Sequence, residues 1–246
     1  MDRDTGIGGS EGRFPQTRRT IVGALQSDDA AERRRAFETL VALYWKPLYK
    51  YLRIKWRKSN EDAKDAVQGF FAMLLERDAL ASYDSDKAAF RTFLRLLFDR
   101  WLANEAKAAT RIKRGGTVLE VDFESAEVEI RRQGDDSLEQ DEYLHREWLR
   151  SLFGLAVDRL REELSSEGRE LWFRIFESYD LDPPGGERPT YRRLAETHGI
   201  PETSVTNHLA AARRRFRQIA LDLLRESTAT DEELRTEARA IFGVAP

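Results

Sequence analysis

The sequence predicts an all-α protein in which two small helical domains are joined by an acidic linker, the second domain containing a helix-turn-helix. Three observations support this prediction. Apolar residues recur three and four positions apart along most of the chain, which is the spacing of a helix face that packs on a core. Residues 117–142 break this periodicity with ten acidic residues and two arginines, as is typical of a solvated linker. Residues 190–218 carry the pattern of two helices joined by a tight turn.

Composition limits the classes of protein to which the chain can belong. Its 246 residues suffice for one large or two small domains, and 41% hydrophobic residues suffice for a core. The absence of cysteine excludes disulfides and thiolate metal sites. No apolar run approaches the ~18 residues of a membrane span, and the N-terminus lacks a signal-peptide core. We therefore expect a cytoplasmic protein with no membrane partner.

The first domain is predicted at residues 27–116, after a flexible segment at residues 1–26 that shows no sustained periodicity. Pro47 is expected to begin a new helix, since proline lacks the N–H that a helix interior needs. The clearest helix follows at residues 61–76, where a full apolar stripe faces inward. The residues alone favour a solvated surface over a docking surface on its opposite face. That face presents Asp62, Asp65, Gln68 and Gly69.

A longer helix, predicted at residues 88–114, is both basic and aromatic. It holds seven cations and two acidic residues, a local charge of +5. Such a helix suits nucleic acid, because cations track the phosphates and exposed rings stack on bases. The rings stand three and four residues apart, so we expect most of them to lie in the core while the cationic face binds. The candidate binding residues are Arg91, Arg95, Arg100, Asn104, Lys107, Arg111, Lys113 and Arg114.

The second domain is predicted at residues 143–228, with a tail at 229–246. Gly199 supplies a sharp corner, and Pro201 stands where a second helix begins. Short polar side chains near the start of that helix suit base edges in the major groove, and the arginines further along suit phosphates. A plain helical hairpin is the alternative, which the arginine cluster disfavours. The candidate DNA contacts are Thr190, Arg192, Thr203, Ser204, Thr206, Asn207, His208, Arg213, Arg214 and Arg215.

Catalysis finds little support in the residues. The three histidines lack metal-ligand spacing to one another or to carboxylates. The glycine pairs at 115–116 and 185–186 lack the strand-then-helix setting of a phosphate loop. We expect the protein not to be an enzyme, and we expect no metal or cofactor.

Two of these segments together resemble a known family. Residues 62–71, DAKDAVQGFF, are similar to the DA-x-D-x-x-Q-x-x-F helix of region 2 in bacterial RNA polymerase sigma factors. Residues 194–209, LAETHGIPETSVTNHL, are similar to the helix-turn-helix of region 4. With the acidic linker between them, the order resembles the two-domain, extracytoplasmic-function group of the sigma-70 family. The similarity covers about residues 30–228.

This resemblance implies a function for each segment. Residues 27–116 would be a region 2-like domain that binds core polymerase and the −10 promoter element. Its contact with the coiled-coil clamp of the β′ subunit would be formed by Asp62, Asp65, Gln68 and Gly69. Residues 143–228 would be a region 4-like domain that reads the −35 element. The linker would run through polymerase channels that otherwise take nucleic acid. Core polymerase, including its β subunit, and promoter DNA are the implied partners, and an anti-sigma factor is a candidate partner.

Some residues depart from the family pattern. The family usually has Trp where Phe93 stands and Asn where Arg100 stands, and the loop at 180–189 is longer than usual. We therefore identify the chain as a divergent member. The main alternative is a free-standing helix-turn-helix regulator, with a sensor or dimerisation domain at residues 30–115. A helical adaptor that does not bind DNA is a third reading.

The distance between promoter elements favours a factor that needs a larger assembly to position its two domains. Two promoter elements one to two DNA turns apart lie roughly 35–70 Å from each other. About 30 linker residues reach ~100 Å when extended but average only ~30 Å as a free coil. A larger assembly would have to hold the two DNA-reading domains apart. The net charge of −3 also indicates that this chain alone does not supply most of the DNA affinity.

Overall fold

The computed structural model describes residues 21–76, 79–84, 86–108, 121–133, 137–183 and 186–243. Within these ranges the chain is helical and no strand occurs, which confirms the all-α prediction. A 3-10 turn at Ala79–Ser82 and a π-helical turn at Glu177–Leu181 interrupt the α-helices. The α-helices are α1 (Ile21–Leu25), α2 (Ala30–Lys55), α3 (Asn60–Glu76), α4 (Phe90–Ala108), α5 (Phe123–Gln133), α6 (Gln140–Ser166), α7 (Glu170–Phe176), α8 (Tyr191–His198), α9 (Glu202–Ser227) and α10 (Asp231–Phe242).

Helix α2 is the central element of the fold. Asp29 caps its start by accepting the N–H of Ala31 at 2.9 Å. The predicted division at Pro47 is wrong, because one continuous helix of 26 residues runs through the proline. Pro47 is itself buried, between the buried side chains of Tyr44 and Leu48. We infer that burial of this face outweighs the lost backbone hydrogen bond.

The helices of the two predicted domains share one core. Helix α2 packs along α6, and α6 and α7 pack on α9, which also contacts α2. The buried apolar residues form a single cluster that extends from Ile21 in α1 to Ala238 in α10. A division into two separate domains is therefore not apparent among the described residues.

The acidic segment at residues 117–142 contains more structure than a linker. Helix α5 occupies its middle, and α6 begins within its last residues. Phe123 is buried, with its ring edge-on to Trp45 at 5.4 Å between centroids and tilted to Tyr49 at 5.1 Å. Glu127 accepts hydrogen bonds from Arg53 of α2, one of them at 2.6 Å, and this guanidinium lowers the pKa of Glu127. The acidic residues thus neutralise cations of α2 instead of facing only solvent.

The two predicted terminal segments also hold helices. Helix α1 lies within residues 1–26, where Ile21 is buried and its N–H donates to the Thr228 carbonyl at 3.4 Å. Residues 1–20 lie outside the described ranges. Helix α10 lies within residues 229–246 and is fixed by Leu234 and Ala238, which are buried. None of the helices in the described ranges combines the length and apolar character that crossing a membrane requires.

A buried ion cluster joins three helices at the centre of the molecule. Lys50 of α2 is fully buried, and its Nζ donates to Glu147 of α6 at 2.8 Å and also to Glu129 of α5. Glu147 is buried as well and also pairs with Arg150. Lys46 contributes a second cation to Glu129 at 2.9 Å. An ammonium group so far from water is tolerable only when carboxylates surround it.

We expect Lys50→Met to lower the free energy of unfolding by about 3 kcal/mol, because it leaves Glu129 and Glu147 short of a partner inside the protein. The expected loss is at the low end for breaking a buried ion pair, because Arg150 still contacts Glu147. Arg34→Met is the control on the same helix. Its pair with Glu38 is 82% and 59% exposed, and such pairs contribute about 0–1 kcal/mol. Urea denaturation compares the two variants, and equal losses would contradict the role given to Lys50.

Candidate functional site

Helices α8 and α9 meet at a turn that the sequence determines locally. The Thr190 hydroxyl caps α8 by accepting the N–H of Arg193 at 3.2 Å. Gly199 ends the helix in the left-handed region, with φ 64° and ψ 34°, where side chains other than glycine are strained. Helix α9 begins after Pro201. The inner faces of the two helices are buried through Leu194, Val205 and Leu209.

The start of α9 leaves a polar surface facing outward. Thr203, Thr206 and Asn207 are exposed, while Ser204 is half-buried. The Thr206 hydroxyl donates to the Glu202 carbonyl at 3.2 Å, one turn earlier. Arg192 on α8 is exposed, with a solvated pair to Glu196. These side chains are available to an external partner.

His208 lies apart from this polar surface. Its ring stacks on Trp172 of α7, with 5.0 Å between centroids and 20° between planes. Burial lowers the pKa of His208, so the neutral imidazole is favoured. The side chain is therefore used at least partly to pack α9 against α7, a contact that its position in the sequence does not indicate.

The three arginines of α9 that were predicted as DNA contacts differ in their partners. Arg213 makes two hydrogen bonds to Asp180, at 2.7 and 2.8 Å, and its guanidinium lies over the Tyr179 ring. These bonds to Asp180 raise the pKa of Arg213. Arg215 pairs in the same bidentate way with Glu163 of α6. Arg214 is exposed and has no ion-pair partner among the described residues, so it is the most available of the three.

The polar strip of α3 is exposed at its acidic end. Asp62 and Asp65 face solvent and Gln68 is half-buried. Gly69 has a packing role, because α3 and α4 approach each other closely there. A Cβ atom at this position would stand 3.0 Å from Cζ2 of Trp101.

The aromatic residues of α4 lie mainly in the core, as predicted. Phe90 and Phe98 are fully buried, and Phe98 packs on Phe70 of α3 at 4.7 Å between centroids. Phe93 and Trp101 are half-buried. Trp101 stacks on Phe98, with planes 6° apart. Phe98 and Trp101 thus hold α4 on α3, and the four rings leave little exposed aromatic surface.

The cations of α4 fall into two groups. Arg91 and Arg95 pair with acidic residues inside the protein, and only Arg100 and the neighbouring Asn104 are exposed among those whose side chains are described. These two border a cleft of about 390 Å³ beside Trp101. Lys107 lies in the last turn of α4. Arg111, Lys113 and Arg114 lie outside the described residues.

The acidic partners of these arginines were not anticipated. Glu237 and Asp141 pair with α4, while Asp180 and Glu163 pair with α9. The sequence does contain a local signal for the start of α10. Thr230 accepts the N–H of Glu233, and a threonine followed three residues later by a glutamate is typical of a helix start.

Comparison with known proteins does not identify a family for this chain. No family model, no curated protein and no solved structure matches the chain. Among the described residues, no cluster of three or more His, Asp and Glu side chains is arranged to hold a metal ion. The inference of function therefore depends on the residues and their contacts.

Two glycine-to-alanine changes test the close approach at Gly69. Gly154→Ala in α6 should raise the free energy of unfolding by about 0.5–1 kcal/mol, because alanine is the better helix former and nothing lies within 4 Å of the added atom. Gly69→Ala gains the same stabilisation from the better helix former, but its added methyl group presses on the Trp101 ring. We expect Gly69→Ala to be the less stable variant in urea denaturation. An equal gain in both would show that the ring moves aside freely.

Proposed function

We propose that this chain is a divergent sigma-70-type initiation factor of the cytoplasm, which binds core RNA polymerase and directs it to promoters. One observation carries the proposal. The chain has the strip Asp62, Asp65 and Gln68 on α3, in which both carboxylates are exposed, and later the exposed residues Thr203, Thr206 and Asn207 beyond a glycine turn. Both surfaces lie in the segments on which the resemblance to regions 2 and 4 rests, and their exposure supports the proposal.

For the −35 element, the proposed reader is the pair α8 and α9, acting as a helix-turn-helix. A major-groove reader needs short hydrogen-bonding side chains at the start of its second helix. Thr203, Thr206 and Asn207 meet this need because they are exposed on the first two turns of α9. Arg214 is the proposed phosphate contact, because it has no ion-pair partner among the described residues. Ser204 and His208 are half-buried, so they are the weaker candidates.

For the −10 element, the proposed contact surface is the outer face of α4. Arg100 and Asn104 are exposed and support this assignment directly. Arg91 and Arg95 can take part only after they leave their acidic partners. The strip on α3 is the proposed contact with the β′ clamp. Its exposed carboxylates, Asp62 and Asp65, form no ion pair with the part of the chain that the structure describes, so they favour a basic docking surface.

The proposal requires the two halves to separate on the polymerase. Readers of elements roughly 35–70 Å apart cannot remain packed as α2 and α9 are in this structure. Separation would expose the ion cluster around Lys50 to water. The charged groups of this cluster would then gain hydration. Polymerase would then fix the spacing, so that two weak DNA affinities combine.

The packing of α2 on α6 and α9 also favours a second candidate function, that of a free-standing regulator acting as one joined unit. In that case the chain binds an operator tightly without polymerase, as a dimer on a palindrome. Transcription in vitro distinguishes the two candidates. The purified chain and core polymerase are supplied with a library of promoter fragments. Specific initiation that depends on the chain supports the sigma proposal, whereas tight operator binding without initiation supports the regulator.

Asp65→Arg should weaken the affinity for core polymerase by about tenfold or more, because it places like charges together at the proposed clamp contact. Asp65 is exposed, so the fold should be unaffected, which circular dichroism checks. Asp158→Arg, the same change on the exposed side of α6, should bind core polymerase as the unmodified chain does. Equal affinities of both variants for core polymerase would remove the clamp assignment.

Asn207→Ala and Arg214→Ala should change DNA recognition in different ways. Loss of Asn207 should relax the preference at one base pair by about 1–3 kcal/mol, since its amide is proposed to read a base edge. Loss of Arg214 should weaken binding to all sequences and reduce the salt slope by about 1. Binding of the polymerase complex to −35 variants at several salt concentrations measures both. Uniform effects from both substitutions would show that the reading face is assigned incorrectly.

A further inference from the structure

Helix α10 contacts the start of α4 through two carboxylates, of which Glu237 is buried and Glu233 is half-buried. The guanidinium of Arg91 donates to Oε1 of Glu237, and the two side chains are 19% and 8% exposed. Glu233 accepts the N–H of Phe90 at 2.9 Å and the N–H of Ala229 at 2.8 Å. A carboxylate at the first turn of a helix also interacts favourably with the helix dipole. The C-terminal helix is thus fixed to the first two residues of α4.

The surroundings of Arg91 leave it little room for a second anion. Its guanidinium lies over the Trp148 ring at 5.5 Å from the centroid, and Trp148 is buried. His145 places Nε2 at 3.5 Å from the other carboxylate oxygen of Glu237. Burial alone would raise the pKa of Glu237, but the nearby His145 imidazole and the Arg91 guanidinium outweigh it, so its pKa is lowered. The carboxylate therefore stays ionised at neutral pH.

Helix α10 also lies against α9. Its last residue, Phe242, packs edge-on to Phe153 of α6, and the Arg217 guanidinium of α9 lies over the Phe242 ring at 5.5 Å. The same helix therefore contacts Arg91 on the proposed −10 surface and Arg217, which follows the proposed −35 contacts on α9. A phosphate that binds Arg91 would have to compete with Glu237 for its guanidinium.

We propose that α10 is an intramolecular lock, which masks Arg91 in the free chain and is displaced when the chain engages DNA on the polymerase. This inference rests on the proposed function, because it treats Arg91 as a −10 contact. Helix α10 is suited to displacement, since it has 12 residues, three of which are buried. Short terminal elements with few buried residues open at lower free energy than the core of a protein does.

The lock predicts that loss of the charge on Glu237 increases DNA affinity. The full-length chain and Glu237→Gln are titrated against a labelled DNA duplex of mixed sequence with a single-stranded overhang, at low salt. We expect the variant to bind about fivefold more tightly or better, the lower end of coupling between two sites. Glu232→Gln is the matched control, because it makes the same change at an exposed position of the same helix. It should stay within twofold of the unmodified chain.

Two further variants separate a lock from a structural fastening. In Arg91→Gln with Glu237→Gln the gain in affinity should disappear, since the cation that the lock releases is missing. Glu233→Gln should give a smaller gain and serves as the second test if Glu237→Gln fails to fold. If folded Glu237→Gln and Glu233→Gln show lower thermal stability without any gain in DNA affinity, α10 only fastens the fold and the lock is refuted.

Measurement of transcription initiation with core polymerase distinguishes failure of the lock from failure of the proposed function. If the unmodified chain initiates and Glu237→Gln binds DNA no better, the proposed function stands and the lock fails. If no variant initiates but Glu237→Gln still gains affinity through Arg91, the masking contact stands and the sigma assignment fails.

Discussion

The rest of the structure depends on the burial of the Lys50 ammonium group. A charge that is fully removed from water costs several kcal/mol unless oppositely charged groups surround it. Here they come from two other helices, through Glu129 of α5 and Glu147 of α6. Helices α2, α5 and α6 must therefore meet for any of the three to be stable in this arrangement. Helix α9 packs on α6, so this meeting also brings α9 beside α2.

Much of the fold follows from local patterns and was predictable for that reason. The apolar stripe of α3, the inward rings of α4 and the corner at Gly199 depend on residues no more than a few turns apart. Pro47 shows the limit of local rules. A proline weakens a helix in isolation, yet the buried side chains of Tyr44 and Leu48 on either side of it hold α2 in one piece.

The candidate site was less predictable, because charge pairing acts over long sequence separations. Arg91 and Glu237 are 146 residues apart, and Lys50 and Glu147 are 97 apart. A sequence shows that α4 is cationic and that residues 117–142 are acidic, but not which charges meet. The acidic segment was therefore interpreted as a linker, although Phe123 and Glu127 attach it to α2. The sequence shows the cations of a DNA-binding surface, among them Arg91, Arg95 and Arg213. Only the contacts in the structure show that these three side chains are already paired with acidic residues of the protein.

The anchor of Arg213 has a consequence for how this protein can diverge. Asp180, which orients the guanidinium, belongs to the π-helical turn Glu177–Leu181 that continues α7 and occupies the first two residues of the predicted loop at 180–189. Insertions or deletions beyond residue 181 therefore leave the arginine in place. Related sequences are free to vary that loop in length while they retain the same surface on α9, provided that Asp180 and Tyr179 are kept.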